Sequence, residues 1–227
     1  MVKTKLFLCA VSFTVLFVYF SYMVARERLQ QIDFDTMVKL QDHISRRFDG
    51  IFSYFSLLGS AEITIGFCLL LVFLSLLQKR WIPIIGWLMI VPASAAEVFG
   101  KLVVFHPGPP LFFHRSALST NLPSFYVHTD FSYPSGHMTR TIFIITIFAS
   151  MMVFSSRNLF FRSIALFFLA LLVFLMGLTR VYLGEHWLSD VIGGALLGAA
   201  AGFSASILIL RRTQAFGSEA QARRVQP

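Results

Sequence analysis

The sequence predicts an all-α polytopic membrane protein, a bundle of six transmembrane helices, and three observations lead there. Hydrophobic residues make up 56% of the 227 and charged residues only 13%, where a soluble domain carries about a quarter. Mean hydropathy is +0.73. Apolar runs near the ~20 residues that a helix needs to cross a bilayer core recur from one end of the chain to the other. With 26 Phe against 14 Gly and 8 Pro, low-complexity and collagen-like chains are excluded. One membrane domain is expected over residues 1–212, followed by a short polar cytoplasmic tail at 213–227, irregular after Arg212.

Leu6 to Val24 is the first apolar run. Lys3 and Lys5 ahead of it also suit a secretory signal, but no small-x-small cleavage site follows, so it reads as an uncleaved span. Residues 25–60 change character: charges from Arg26 to Asp49 are interleaved with apolar residues. Phe34, Val38, Leu40 and Ile44 allow an amphipathic helix along the membrane interface, and a solvated loop helix fits the same spacing. Glu62 to Leu77 is the second span, ended by Gln78-Lys79-Arg80. Trp81 to about Phe99 is the third, and the cluster His106-Pro107-Gly108-Pro109-Pro110 ends any helix beyond it. A polar-aromatic loop follows, with His114, Arg115, His128 and Asp130. Met138 to Phe154, Ser163 to Leu178 and Leu188 to Leu210 are spans four to six. In the last, Gly194, Gly198 and Gly202 recur at a spacing of four, which lets helices approach closely.

The formal net charge of +8 would also suit a nucleic-acid partner, but the placement of the cations argues against one. Lys3, Lys5, Lys79, Arg80, Arg157, Arg162, Arg211, Arg212, Arg223 and Arg224 flank the spans in alternate loops. That is the positive-inside pattern, and an anionic lipid surface is the expected partner. The loops at 101–137 and 179–187 then share the outer side. Arg26, Arg28, Arg46 and Arg47 fall in the first outer loop and run against the rule. Cys9 and Cys68 lie inside predicted spans and form neither a disulfide framework nor a zinc pattern.

Three segments far apart in sequence reach this one face: Lys101, Ser135-Gly136-His137, and Arg180 through Asp190. A phosphate group asks for cations and backbone N–H donors. Lys101 and Arg180 supply charge, while Ser135 and Gly136 open an apolar helix with their N–H groups at its positive end. An ordinary helix start reads the same way. His186 and Asp190 stand at i and i+4, one helical face, where a carboxylate fixes the imidazole tautomer and raises its nucleophilicity. His137 then suits the general acid, with an unperturbed imidazole pKa near 6.5. A purely structural His–Asp pair, or a metal held by His137, His186 and Asp190, are the competing readings. Two cations in the pocket and no carboxylate cluster speak against the metal.

These residues resemble the type 2 phosphatidic acid phosphatase superfamily, the metal-independent membrane lipid phosphatases related to vanadium haloperoxidases. Its second motif, Pro-Ser-Gly-His, is complete as Pro134-Ser135-Gly136-His137. Its third, Ser-Arg-x5-His-x3-Asp, is present as Thr179-Arg180, His186 and Asp190, with Thr for Ser. Its first, Lys-x6-Arg-Pro, is altered: Lys101 is followed six residues on by Gly108-Pro109. The resemblance implies an acid phosphatase/haloperoxidase-like helical core and no metal or other cofactor. It implies that Lys101, Ser135, Gly136 and Arg180 bind phosphate, His137 is the acid, His186 the nucleophile and Asp190 its partner. His106, Arg115 or Arg140 are the candidates to replace the absent arginine. Undecaprenyl diphosphate, phosphatidylglycerol phosphate and a phosphorylated lipid A are the implied substrates, in a bacterial inner membrane with the site facing outward. A phosphotransferase, or a non-catalytic lipid binder with a decayed site, are the alternatives.

Overall fold

The computed structural model describes residues 2–116, 131–155 and 158–223, without the side chains of residue 155 or of those beyond Leu210. The described chain is helical: α1 Val2–Ala25, α2 Gln30–His43, α3 Asp49–Ser56, α4 Ala61–Leu77, α5 Trp81–Leu88, α6 Ile90–Val104, α7 Gly136–Ser155, α8 Leu159–Tyr182 and α9 Leu188–Arg223. Six stretches are long and apolar enough to cross a membrane: Val2–Ala25, Arg46–Leu77, Trp81–Val104, Gly136–Phe154, Leu159–Tyr182 and Leu188–Leu210. All six expected spans are there. The third is broken at Met89 into α5 and α6 and runs on to Val104, where Phe105 turns left-handed (φ 53°) ahead of Pro107.

Caps explain several boundaries. The Ser60 hydroxyl accepts the Ile63 N–H at the start of α4, and the Asn158 side chain accepts the Phe161 N–H at the start of α8. Each satisfies one of the donors that a helix start leaves unpaired.

Helices α7 and α9 form the centre, and the glycine stripe sets their distance. A Cβ on Gly194, Gly198 or Gly202 would lie 2.4, 2.4 and 2.8 Å from the carbonyl oxygens of Ser135, Thr139 and Phe143. Only glycine lets the two backbones meet this closely, and where lipid is the solvent such contact is what holds helices together. Helix α1 flanks α9 through Phe13 against Phe203, and Ser21 shares a 2.8 Å hydrogen bond with Tyr133. Away from the site, Cys68, Trp87, Phe143, Ile147 and Ile209 pack together, so Cys68 is a packing residue. Helix α8 turns Phe160, Phe167, Phe168 and Phe174 outward, as a lipid-facing surface requires.

The 25–60 segment holds the expected helix, docked on the bundle by polar residues. In α2 the buried stripe is Asp33, Met37 and Gln41, while Ile32 and Phe34 are exposed. Polar partners decide this. Gln41 Nε2 donates to the carbonyls of Phe113 (2.7 Å) and Tyr182 (2.8 Å), and Asp33 receives Ser189, so α2 caps one end of the bundle. The backbone of α9 also continues helical to Arg223 where an irregular tail was expected. Apart from Gly217, that stretch is rich in good helix formers.

Candidate active site

The end of the bundle capped by α2 collects the last turn of α6, the first turn of α7, the last turn of α8 and the first turn of α9. Lys101, Ser135, Gly136, His137, Arg180, His186 and Asp190 are therefore all brought to one place. Arg180, Arg140, His186 and Lys101 all lie close enough to His137 to act on it electrostatically. The His137 ring edge rests on the Leu57–Gly59 turn, where a Cβ on Gly59 would stand 3.1 Å from its Cδ2.

His186 and Asp190 pair, though not on a helical face. His186 precedes α9, and its backbone N–H, like that of Glu185, points back to the Arg180 carbonyl at the end of α8. Gly184 makes this turn possible at φ +71°, with a Cβ there landing 2.2 Å from the Phe113 carbonyl. Asp190 sits in the first turn of α9, and its Oδ2 reaches back to the Trp187 N–H (3.0 Å) and His186 Nδ1 (3.3 Å). It is the acidic half of a capping box that also holds an imidazole. With Nδ1 facing a carboxylate, Nε2 is the nitrogen left to act as nucleophile.

The anion-binding side is arranged differently from expectation at one point. The Ser135 N–H donates to the Asp190 carbonyl (3.0 Å), which ties the two motifs together and takes that donor out of the pocket. Its hydroxyl is what remains. Ser135 Oγ and Arg180 Nε are buried and, among the described residues, have no hydrogen-bond partner. Buried donors without partners are costly, at about 1–3 kcal/mol each, unless a ligand completes them. Arg180 also pairs with Glu185.

Glu97 is the residue that sequence reasoning missed. One turn before Lys101, it pairs with Lys101 Nζ (2.7 Å) and with Arg140 Nη1 (3.1 Å). Its carboxylate lies against Gly136, where an added Cβ would meet Oε1 at 2.7 Å. A carboxylate therefore occupies the helix start between two cations. The signal was available: an acid and a lysine at i, i+4 inside an apolar span mark a functional site.

The three candidates for the absent first-motif arginine separate cleanly. Arg115 lies over the Tyr182 ring at 5.3 Å and reaches toward the Ile44 carbonyl, so it ties loops together. His106 is buried behind Asp190, with Nε2 at 3.8 Å from Asp190 Oδ1. Arg140, one turn beyond His137, is the one beside Lys101's partner and near Arg180. Behind Asp190, Asp33 accepts the Ser189 N–H and hydroxyl, both at 2.7 Å. Burial pushes the Asp33 carboxyl above its ordinary value, against the pull of the Ser189 bonds, and Asp190 pushes it further. His114 is exposed, and His128 and Asp130 lie outside the described residues.

Comparison with known proteins identifies the family and the fold. Residues 81–214, more than half of the chain, match the model of the PAP2 superfamily. Phosphatidylglycerophosphatase B of Bacillus subtilis (strain 168) is 32% identical over 74 residues, 31% of this chain and 35% of that protein. The match thus spans about a third of that relative's length. The crystal structure of a transmembrane PAP2-type phosphatidylglycerolphosphate phosphatase from Bacillus subtilis superposes with a TM-score of 0.67 at 18% identity. It covers 87% of this chain and 94% of that one. Aquifex aeolicus LpxE gives 0.51 at 23% identity, covering 77% and 94%. The fold is that of these multi-pass membrane proteins, and the chain belongs to the PAP2 superfamily.

Proposed function

We propose that this protein is a metal-independent lipid phosphatase working through a phosphohistidine. His186 Nε2 attacks phosphorus, the bond to the lipid oxygen breaks, and His137 gives that oxygen its proton. His137 then takes a proton from water, whose oxygen attacks the phosphohistidine and releases inorganic phosphate with His186 restored. Asp190 holds the tautomer and stabilises the imidazole as positive charge builds. Lys101, Arg180, the Ser135 hydroxyl and the N-terminus of α7 at Gly136 receive the phosphoryl oxygens. Arg140 stands in for the arginine absent at Gly108, supplying from α7 what the altered first motif lacks. The observation that carries this reading is the His186–Asp190 pair beside unpartnered, buried Ser135 Oγ and Arg180 Nε.

Phosphatidylglycerol phosphate is the first substrate to test, because the similar Bacillus subtilis sequence and crystal structure are both named for its hydrolysis. Undecaprenyl diphosphate and a phosphorylated lipid A follow. In this reading the membrane is a bacterial inner membrane, as the bacterial relatives suggest, and the site faces outward, which the basic clusters at Lys79-Arg80 and Arg162 support. The test is phosphate release by detergent-purified protein from these lipids with EDTA present. Release that persists in EDTA and disappears in His186→Ala is expected. Release abolished by EDTA, or retained in His186→Ala, refutes the mechanism.

A further inference from the structure

Asp190 is fully buried, yet only one of its two oxygens is engaged. Oδ2 holds His186 and Trp187, whereas Oδ1 has no hydrogen-bond partner among the described residues. A carboxylate held by one oxygen can pivot, and a pivot here moves the His186 imidazole. His106 Nε2 stands 3.8 Å from Oδ1. The same nitrogen lies 3.4 Å from Ser189 Oγ and 3.9 Å from Asp33 Oδ2.

The tautomer of His106 follows by elimination. The Ser189 hydroxyl proton is committed to Asp33 Oδ2 at 2.7 Å, so Ser189 Oγ faces His106 as an acceptor. The two carboxylate oxygens are acceptors as well. All three neighbours of Nε2 ask for a proton, so Nε2 carries one. Asp33 meanwhile accepts the Ser189 backbone N–H, so a residue of α2 caps the first turn of α9 from outside that helix. Tyr133 closes the other side, its ring edge-on to His106.

We infer that His106, held by Ser189 beside Asp33, is a positioning residue for Asp190: its Nε2–H is shared with Ser189 Oγ and stands 3.8 Å from the free carboxylate oxygen, where its dipole steadies that carboxylate and keeps the His186 tautomer fixed. The inference rests on His186 being the nucleophile. It gives α2 a role that its position in a linker between spans does not announce. The helix delivers Asp33 to the back of the catalytic pair, and Asp33 in turn orients the donor. Outer partners of this kind change activity about 10–100-fold when removed from metal-bound histidines.

The experiment compares wild type, His106→Phe and His106→Gln in detergent micelles, each checked for an unchanged elution volume and unfolding temperature. The Gln amide can place an N–H where the imidazole Nε2–H stands, and Phe cannot. Two readouts are taken. One is kcat and KM for phosphatidylglycerol phosphate; the other is ¹⁵N NMR of the His186 ring, which reports the nitrogen that carries the proton. In His106→Phe, kcat should fall about 10–100-fold with KM within about twofold, and His186 should lose its single Nδ1–H signature. His106→Gln should recover most of both. A wild-type signature and wild-type kcat in His106→Phe would overturn the inference, as would a Gln variant no better than Phe. If wild type shows no turnover while the ring signature still answers to His106, the lipid phosphatase reading fails and the positioning role stands.

Discussion

The two halves of the site are held by different physics. On the His186 side every group is short and fixed by hydrogen bonds: Asp190 to Trp187 and His186, Asp33 to Ser189, Ser135 N–H to the Asp190 carbonyl. On the His137 side the groups are long cations, Lys101, Arg140 and Arg180, balanced by the carboxylates Glu97 and Glu185. The first half is preorganised for one geometry. The second sets three cations against two carboxylates, so it keeps an excess of positive charge and can exchange those carboxylates for phosphoryl oxygens. The difference assigns orientation of the nucleophile to one half and binding of the anion to the other, and each half should fail in its own way.

The largest effect is expected from Asp190→Asn. An amide keeps the size but presents an N–H or a weaker acceptor to His186, favouring the wrong tautomer. A comparable change in a serine protease triad costs about 10⁴ in kcat, and a loss of about 10³–10⁴-fold is expected here, with KM little changed. Steady-state kinetics decides it. A loss under tenfold would mean that Asp190 does not orient the attacking imidazole.

A smaller effect of a different kind is expected from Arg140→Ala. One charged hydrogen bond to phosphate is worth about 1.5–3 kcal/mol, so kcat/KM should fall roughly 10- to 150-fold, carried largely by KM. Among the described residues, the same variant leaves Glu97 with Lys101 as its ion-pair partner. Restoring an arginine at Gly108 in the Arg140→Ala background should then recover part of the loss. If Arg140→Ala leaves kcat/KM at the wild-type value, the altered first motif has no substitute on α7.

The sequence made the first half legible only in outline. The spacing of His186 and Asp190 announced the pair, but through a helical-face argument, whereas the real link is a carboxylate folding back over the start of α9. Gly184 was the residue that could have told the difference, since a glycine just before the histidine signals a turn. The glycine stripe of α9 was fully legible, because small residues at a spacing of four leave no other use inside an apolar helix. What could not be read was anything joining distant segments through one polar atom. Asp33 on Ser189 spans 156 positions, and Gln41 on Tyr182 spans 141. Local pattern sees α2 as an amphipathic helix along the membrane interface or a solvated loop helix; the two buried polar contacts that dock its other side leave no mark in that pattern. Glu97 is intermediate, visible as a charge within a span but without the Arg140 partner that explains it.

The smallest predicted effect tests whether Asp33 belongs with the hydrogen-bonded half or with the charged one. Burial raises its folded carboxyl pKa, outweighing the two Ser189 bonds that lower it. A carboxyl raised on folding binds protons more readily folded than unfolded, so folding stability falls as pH rises through the folded value. Its contribution is fully present below the unfolded value of about 3.9 and is lost as pH climbs through the higher folded value. Lowering the pH from neutrality toward the ordinary carboxyl value should therefore raise the unfolding temperature of wild type relative to Asp33→Asn, in which nothing titrates at this position. Thermal scans of the two proteins side by side check this, with a gain for wild type on acidification as the expected result. The opposite sign, with wild type gaining as pH rises, would mean that the Ser189 N–H and hydroxyl dominate over burial. Asp33 would then be a true anionic cap on α9, and the boundary between the two halves would fall behind His106 instead of in front of it.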